Sequence, residues 1–212
     1  LRNRSIVGWL VDGESAAFLV INRNKRDMTL DLKAAEGVAI LKNMAATADV
    51  LIENFRTGTM ESFGLGYDTL SAINPRLVYA SVSAFGRTGP RKDGAGYEAL
   101  MQAFSGIMSI TGEPDGAPVR AGVSFLDLTT GIFCAFGIVN ALLHRVSTGL
   151  GQRVDGSLLE TAVTLLNYHA EGYLLTGAQP KALGSSHPSL PPYRTFKCRD
   201  GQGGFIAGAN AR

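Results

Sequence analysis

The stretch Leu77-Val78-Tyr79-Ala80-Ser81-Val82-Ser83 is rich in β-branched and aromatic residues, follows the helix-stopping pair Asn74-Pro75 and is closed off by Gly86. That pattern predicts a strand. Immediately upstream, Met60 to Ile73 carries the 3.6-residue apolar period of a helix. The same order occurs once before. Apolar residues recur at Val38, Leu41 and Met44–Ala45 within Lys33 to Ala48, and Val50-Leu51-Ile52 follows as a short apolar run. Two helix-strand units in succession, whose strands are continuous rather than alternating apolar runs, predict a parallel sheet covered on both faces. The expected class is α/β, with a partial Rossmann-like parallel sheet and helices packed on it.

Beyond the second strand, a loop rich in Gly, Pro and charge runs from Arg87 to Gly96. A helix near Tyr97 to Ile110 follows, then the turn Gly112-Glu-Pro-Asp-Gly-Ala-Pro118, then a long helix from about Leu128 to Val146. A short segment, Gln152 to Val154, leads to a third helix expected over Leu158 to Thr176. Pro180, Gly184, Pro188, Pro191 and Pro192 mark 177–192 as a linker. The sequence from Tyr193 reads as a β-hairpin turning at Asp200-Gly201. The expected organisation is a large domain over 1–176, a linker over 177–192 and the start of a small second domain over 193–212.

Composition excludes several function classes. With 45% hydrophobic and 18% charged residues in 212, the chain has the makings of a core and lacks the signature of disorder. Twenty Lys and Arg against 18 Asp and Glu leave a net +2, spread along the chain, so no nucleic-acid partner is expected. The longest apolar stretch, Gly131 to Leu143, is interrupted by Asn140 and falls short of the roughly 20 residues a bilayer requires, so no membrane span is expected. Cys134 and Cys198 show no C-x-x-C spacing, which fits reduced thiols in the cytoplasm. Leu1, Arg2 and Arg4 begin no signal-peptide pattern, and the chain reads as a piece of a longer frame at both ends.

The sequence contains no G-x-S-x-G, H-E-x-x-H, Walker loop or G-x-G-x-x-G. His144, His169 and His187 have no ligand spacing, so no metal site is expected. Asp127 stands out in Gly122-Val-Ser-Phe-Leu-Asp127, which runs into the long helix. Two readings fit it, and on local sequence alone the structural one is the stronger. As an N-cap it would accept a bond from a free backbone N–H. As an ionised carboxylate on a rigid helix start it could attack an activated carbonyl. Lys25, Arg26 and Lys33 surround a turn and helix start, while Asn54, Phe55 and Arg56 follow a strand at its carboxyl end, where open α/β sheets bind ligands. A flat ring with nearby cations suits a nucleotide-like ligand with phosphates; the alternative is a set of solvated charges. Phe133, Phe136 and Tyr168 are expected in the core.

Several blocks, in order, resemble the class III CoA-transferases, the CaiB/BaiF family: N-R-N-K-R-D-M-T-L-D-L-K at 22–33, A-D-V-L-I-E-N-F-R-T-G at 48–58, L-G-Y-D-T-L at 65–70 and I-N-P-R-L-V-Y-A-S-V-S-A-F-G-R-T-G-P at 73–90. The resemblance continues through S-G-I-M-S-I-T-G-E-P-D-G-A-P-V-R-A-G-V at 105–123, D-L-T-T-G at 127–131, G-Q-R-V-D at 151–155 and H-P-S-L-P-P-Y at 187–193. It implies transfer of coenzyme A from an acyl-CoA donor to a carboxylic acid acceptor, with CoA as substrate and no permanently bound cofactor. Asp127 falls on the family's catalytic aspartate, which forms a covalent aspartyl intermediate. The family's CoA contacts fall on Leu30, Lys33, Asn54, Phe55 and Arg56, with Tyr97 and Glu98 near the pantetheine end. Ser62 and Ala95 stand where some members carry Arg and Lys, and Gly184 to Pro188 resembles a mobile glycine-rich loop while carrying a single glycine. The family's α-methylacyl-CoA racemase branch uses a G-H-D segment; here it reads Gly96-Tyr97-Glu98, which disfavours racemisation. A catalytically inactive CoA-binding fragment is the remaining alternative. The resemblance also implies an interlocked homodimer at full length, and the blocks at 109–120 and 187–193 look most like members that use dicarboxylates.

Overall fold

A computed structural model describes residues 9–208. The readings at Leu1, Arg2 and Arg4, and the end of the expected second domain at 209–212, lie outside the described residues. The chain divides into two compact units, 1–37 and 38–212. Residues 177–192 and the hairpin after them fall in the second unit.

In the first unit, β1 (Leu10–Val11) and β2 (Glu14–Ser15) form a short antiparallel hairpin. Asp12 and Gly13 turn it with φ of 50° and 82°, the left-handed pair that tight hairpins favour in Asp-Gly. The helix α1 (Ala16–Ile21) follows. Further on, the Asp31 side chain accepts the Lys33 N–H at 2.9 Å and its carbonyl accepts the Ala34 N–H at 3.2 Å. These bonds close the turn that opens α2 (Ala35–Ala45).

The second unit holds a parallel sheet of β3 (Val50–Glu53), β4 (Val78–Ser83) and β5 (Arg153–Ser157), with β4 central. Val50 pairs with Val78, and Tyr79 with Arg153. The parallel α/β expectation therefore holds, and Gln152 to Val154 proves to be the start of a third strand. Three expected helices are each interrupted. Met60–Ile73 splits into α3 (Thr59–Ser62) and α4 (Tyr67–Ile73), because Gly64 at φ 66° starts a turn. Tyr97–Ile110 splits at Gly106, φ 89°, into α5 (Glu98–Phe104) and a 3-10 turn over Ile107–Ile110. Leu158–Thr176 breaks at Asn167, φ 45°, into α7 (Leu158–Leu166) and α8 (Tyr168–Thr176).

The long helix is longer than the apolar run suggests: α6 spans Phe125–Thr148, ended by Gly149 in the left-handed conformation. Its 24 residues are, by length and composition, long and apolar enough to cross a membrane, a test that a helix packed on a sheet as part of a core also passes. One side of α6 is core. Cys134, Ile138 and Ala141 pack with Val78 and Ala80 of β4. Small residues allow the approach, since a Cβ on Gly137 would stand 2.8 Å from Val154 Cγ1. The opposite face of β4 is buried too, and Tyr79 meets Tyr67 of α4 edge-on at 6.0 Å. A second cluster joins Ala84, Met101, Ile107, Leu126, Leu158 and Ala162 beyond the carboxyl ends of the strands. The outer side of α6 is different: Leu128, Ile132, Phe136, Val139, Leu143 and Val146 are each 62–83% exposed. Phe133, Phe136 and Tyr168, expected in the core, are 46%, 69% and 53% exposed. Helical spacing alone did not reveal which face meets the sheet. At the end of the unit, β6 (Tyr193–Lys197) and β7 (Gly203–Ala207) form the expected antiparallel hairpin. Gly201 takes φ 84° and the Asp200 carboxylate accepts the Gln202 N–H at 3.0 Å.

Candidate active site

Parallel strands all point their carboxyl ends the same way, so the loops after Glu53 and Ser83 and the helix start after Ser157 gather at one edge of the sheet. A cavity of about 480 Å3 lies there, lined among others by Asn54, Ser83, Gly96, Tyr97, Asp127 and Leu158. An adjoining cavity of about 370 Å3 shares Asn54, Ser83, Ala84, Gly96 and Tyr97 and adds Phe55, Arg56 and Ala95. The fold thus brings Asp127 together with Asn54, Phe55, Arg56 and Tyr97, although the chain separates Asn54 from Asp127 by more than seventy residues. Leu30, half-buried, and Lys33, exposed, belong to the first unit. Ser62 bonds its own helix, donating to the Thr59 carbonyl at 2.7 Å. Gly184 sits at φ 59° and donates its N–H to the Gly112 carbonyl at 2.8 Å.

Asp127 occupies the first turn of α6, and Ser124, the capping position, makes no side-chain cap bond. The Asp127 carboxylate does not cap the helix either. That task falls to Glu98, 6% exposed at the start of α5, whose Oε2 accepts the Asp127 N–H at 2.8 Å while Oε1 accepts the Leu126 N–H at 3.4 Å. Gln102, fully buried, donates to Glu98 Oε1 at 2.6 Å and accepts the Ala121 N–H at 2.9 Å. Of the two readings open for Asp127, the capping one is therefore removed. Glu98, expected near pantetheine, has its carboxylate committed to the Leu126 and Asp127 amides.

Two effects push the Asp127 carboxyl above its ordinary range: partial burial first, then the Glu98 charge. A carboxylate raised in this way is more basic than a free one, and among the described residues it holds no competing donor. It is suited to nucleophilic attack on an activated carbonyl. The loop on the other side of the cavity is held by residues that sequence inspection passed over. Glu53, 6% exposed, accepts from Phe55 N–H at 2.8 Å, from the Ser81 hydroxyl and from Arg87 Nη1 at 3.5 Å. Their signals were present: a carboxylate ending the apolar strand Val-Leu-Ile-Glu53, and a serine amid 77–83. Among the described residues no cluster of His, Cys, Asp or Glu has the makings of a metal site.

An α/β sheet with a cavity at its strand ends and a partly buried carboxylate in the cavity wall defines a class of protein that binds a small molecule at that edge of the sheet. Comparison with known proteins makes this specific. Residues 2–212 match the model of CoA-transferase family III, and the chain belongs to that family. It is 44% identical over 193 residues to a succinate–glutarate CoA-transferase of Agrobacterium fabrum, covering 90% of this chain and 48% of the relative. An acetyl-CoA:oxalate CoA-transferase of Acetobacter aceti is 41% identical over 194 residues, covering 91% and 50%. The crystal structure of a CaiB/BaiF family protein from Brucella suis superimposes with a TM-score of 0.82 at 42% identity, over 90% of this chain and 51% of that one. The chain thus spans about half the length of the relatives it matches.

Proposed function

We propose that the protein transfers coenzyme A from an acyl-CoA donor to a carboxylic acid acceptor through a covalent intermediate on Asp127. One observation carries the reading. Among the described residues the Asp127 carboxylate accepts no hydrogen bond, and it lines a cavity shared with Asn54 and Tyr97 at the carboxyl ends of the sheet. In the first step a carboxylate oxygen attacks the thioester carbonyl, the C–S bond breaks, and CoA leaves as thiolate from a mixed anhydride. The thiolate then attacks the aspartyl carbonyl and expels the donor acid as carboxylate, leaving an aspartyl-CoA thioester. The acceptor carboxylate repeats the first exchange on that thioester, and thiolate attack on the acceptor's carbonyl returns Asp127 to its ionised form. No net proton is consumed, and each bond to sulfur that breaks is remade. Asn54, Phe55 and Arg56 hold the nucleotide end of CoA, with Tyr97 nearer the reacting end. Leu30 and Lys33, in the first unit, enter this reading on the family resemblance alone.

The names of the Agrobacterium and Acetobacter relatives support dicarboxylates as the acids exchanged. The reading places 1–176 in the CoA-binding domain and 193–212 at the start of a smaller one. It includes a homodimer, supported by the exposed apolar side of α6, and the cytoplasm, supported by the free thiols Cys134 and Cys198. The test is peptide mass spectrometry of the full-length protein quenched with succinyl-CoA. An adduct on Asp127 that hydroxylamine captures, absent from Asp127→Asn, is the expected result. Exchange of the substrate's α-proton with solvent deuterium and no adduct would replace transfer by racemisation.

A further inference from the structure

Resting on the proposed CoA site, the geometry points to Glu53 as the positioning residue that sets the Asn54–Phe55–Arg56 turn for CoA. The turn is nearly free of other restraints. Its side chains are exposed, Phe55 by 45%, and among the described residues its backbone makes two bonds: Phe55 N–H to Glu53 Oε2 at 2.8 Å, and the Arg56 carbonyl accepting from Thr59 N–H at 3.0 Å. Glu53 itself is fixed from behind. Its other oxygen accepts from the Ser81 hydroxyl on the neighbouring strand and from Arg87 Nη1 at 3.5 Å.

Arg87 closes the arrangement. Its side chain is 10% exposed and also pairs with Glu61 of α3, the helix that begins directly after the turn. One guanidinium therefore ties the carboxylate before the turn to the carboxylate after it. A flexible loop that must meet a ligand loses affinity through the entropy of its ordering. Here the two anchors and the bond to the Phe55 amide meet that cost within the fold, before the ligand arrives. Glu53 lines the same cavity as Asp127, but its carboxylate is committed to the Phe55 amide, Ser81 and Arg87, so in this role its influence falls on CoA binding and not on the chemical steps.

The test compares CoA binding by calorimetry, thermal midpoint and kinetics in the full-length protein and three variants. Glu53→Ala removes the acceptor for the Phe55 amide and is expected to raise both the CoA Kd and the acyl-CoA KM by about tenfold or more, with kcat at saturation within about twofold. Glu53→Gln keeps an acceptor oxygen at the same reach and is expected to restore the Kd to within about threefold of wild type. Ser81→Ala, which leaves Glu53 in place and frees one side of it, is expected to shift the Kd in the same direction by a smaller factor and keeps the test usable should Glu53→Ala not fold. Lowered thermal midpoints with unchanged Kd would overturn the positioning role and leave the CoA-transfer reading standing. A fall in kcat at unchanged KM would overturn it too. Absence of CoA binding by the wild-type protein would remove the reading of the site itself.

Discussion

Replacing Glu98 with alanine separates the support of the Asp127 backbone from the Asp127 carboxylate. The Glu98 carboxylate is 6% exposed and accepts three bonds, from the Asp127 amide at 2.8 Å, the Leu126 amide at 3.4 Å and Gln102 Nε2 at 2.6 Å. Bonds to a charged group contribute about 1.5–3 kcal/mol each, and the orphaned amides add a penalty. Against that stands the relief of removing a buried charge beside Asp127. A net loss of about 2–4 kcal/mol follows, which for a chain of this size lowers the thermal midpoint by about 4–16 °C in calorimetry. Asp127→Asn should behave oppositely, since its carboxylate accepts no bond. Its folded pKa is raised, so the protonated form is the one the fold favours. That contribution is fully present below the ordinary carboxylate pKa and is lost as pH rises through the raised value. Asp127→Asn is therefore as stable as wild type or more so at neutral pH, and its advantage vanishes on acidification. A midpoint unchanged by Glu98→Ala, or lowered at pH 7 by Asp127→Asn, would refute the division of roles between them.

Three further outcomes are expected. On the proposed mechanism the acid limb of kcat/KM for acyl-CoA should lie above the ordinary carboxyl value of 3.8, because protonation of Asp127 would remove its nucleophile; a pH–rate profile checks this. Thr130 and Thr161 share a buried hydroxyl bond of 2.9 Å between α6 and α7, so Thr130→Val should cost about 1–3 kcal/mol in urea denaturation by orphaning Thr161. The Thr130→Val, Thr161→Val pair should recover part of that loss, a non-additivity that a double-mutant cycle measures. A Cβ on Gly151 would stand 2.1 Å from the Leu77 carbonyl oxygen, so Gly151→Ala should force β5 from its place and cost more than about 3 kcal/mol, read as loss of soluble folded protein.

The sequence patterns reached the parallel α/β class because β3 and β4 are apolar enough to announce themselves. The third strand, Arg153-Val-Asp-Gly-Ser157, did not: it lies at the edge of the described sheet, and its contribution to the interior is Val154, the small Gly156 against Cys134 and Thr130, and the polar Ser157. Gly64, Gly106 and Asn167 interrupt stretches whose apolar period continues across the break, so periodicity joined helices that the backbone divides. Asp127 was legible as a candidate, but its freedom from capping depends on Glu98, 29 residues away in the chain. Glu53, Ser81 and Arg87 were passed over for the same reason, since their meaning arises from the pairing of β3 with β4.

The bare side of α6 has a practical meaning for anyone handling this polypeptide. Leu128, Ile132, Phe136, Val139, Leu143 and Val146 recur every three or four residues and form a greasy rail along a 24-residue helix. An uncovered rail of that length seeks another like it. A 212-residue span expressed alone is expected to self-associate as its concentration rises, and its light scattering would then track the rail rather than the active-site cleft. Detergent or a polar substitution at Phe136 should return it to single particles while leaving the sheet and the Asp127 cavity, which draw on the other face of the helix, in place.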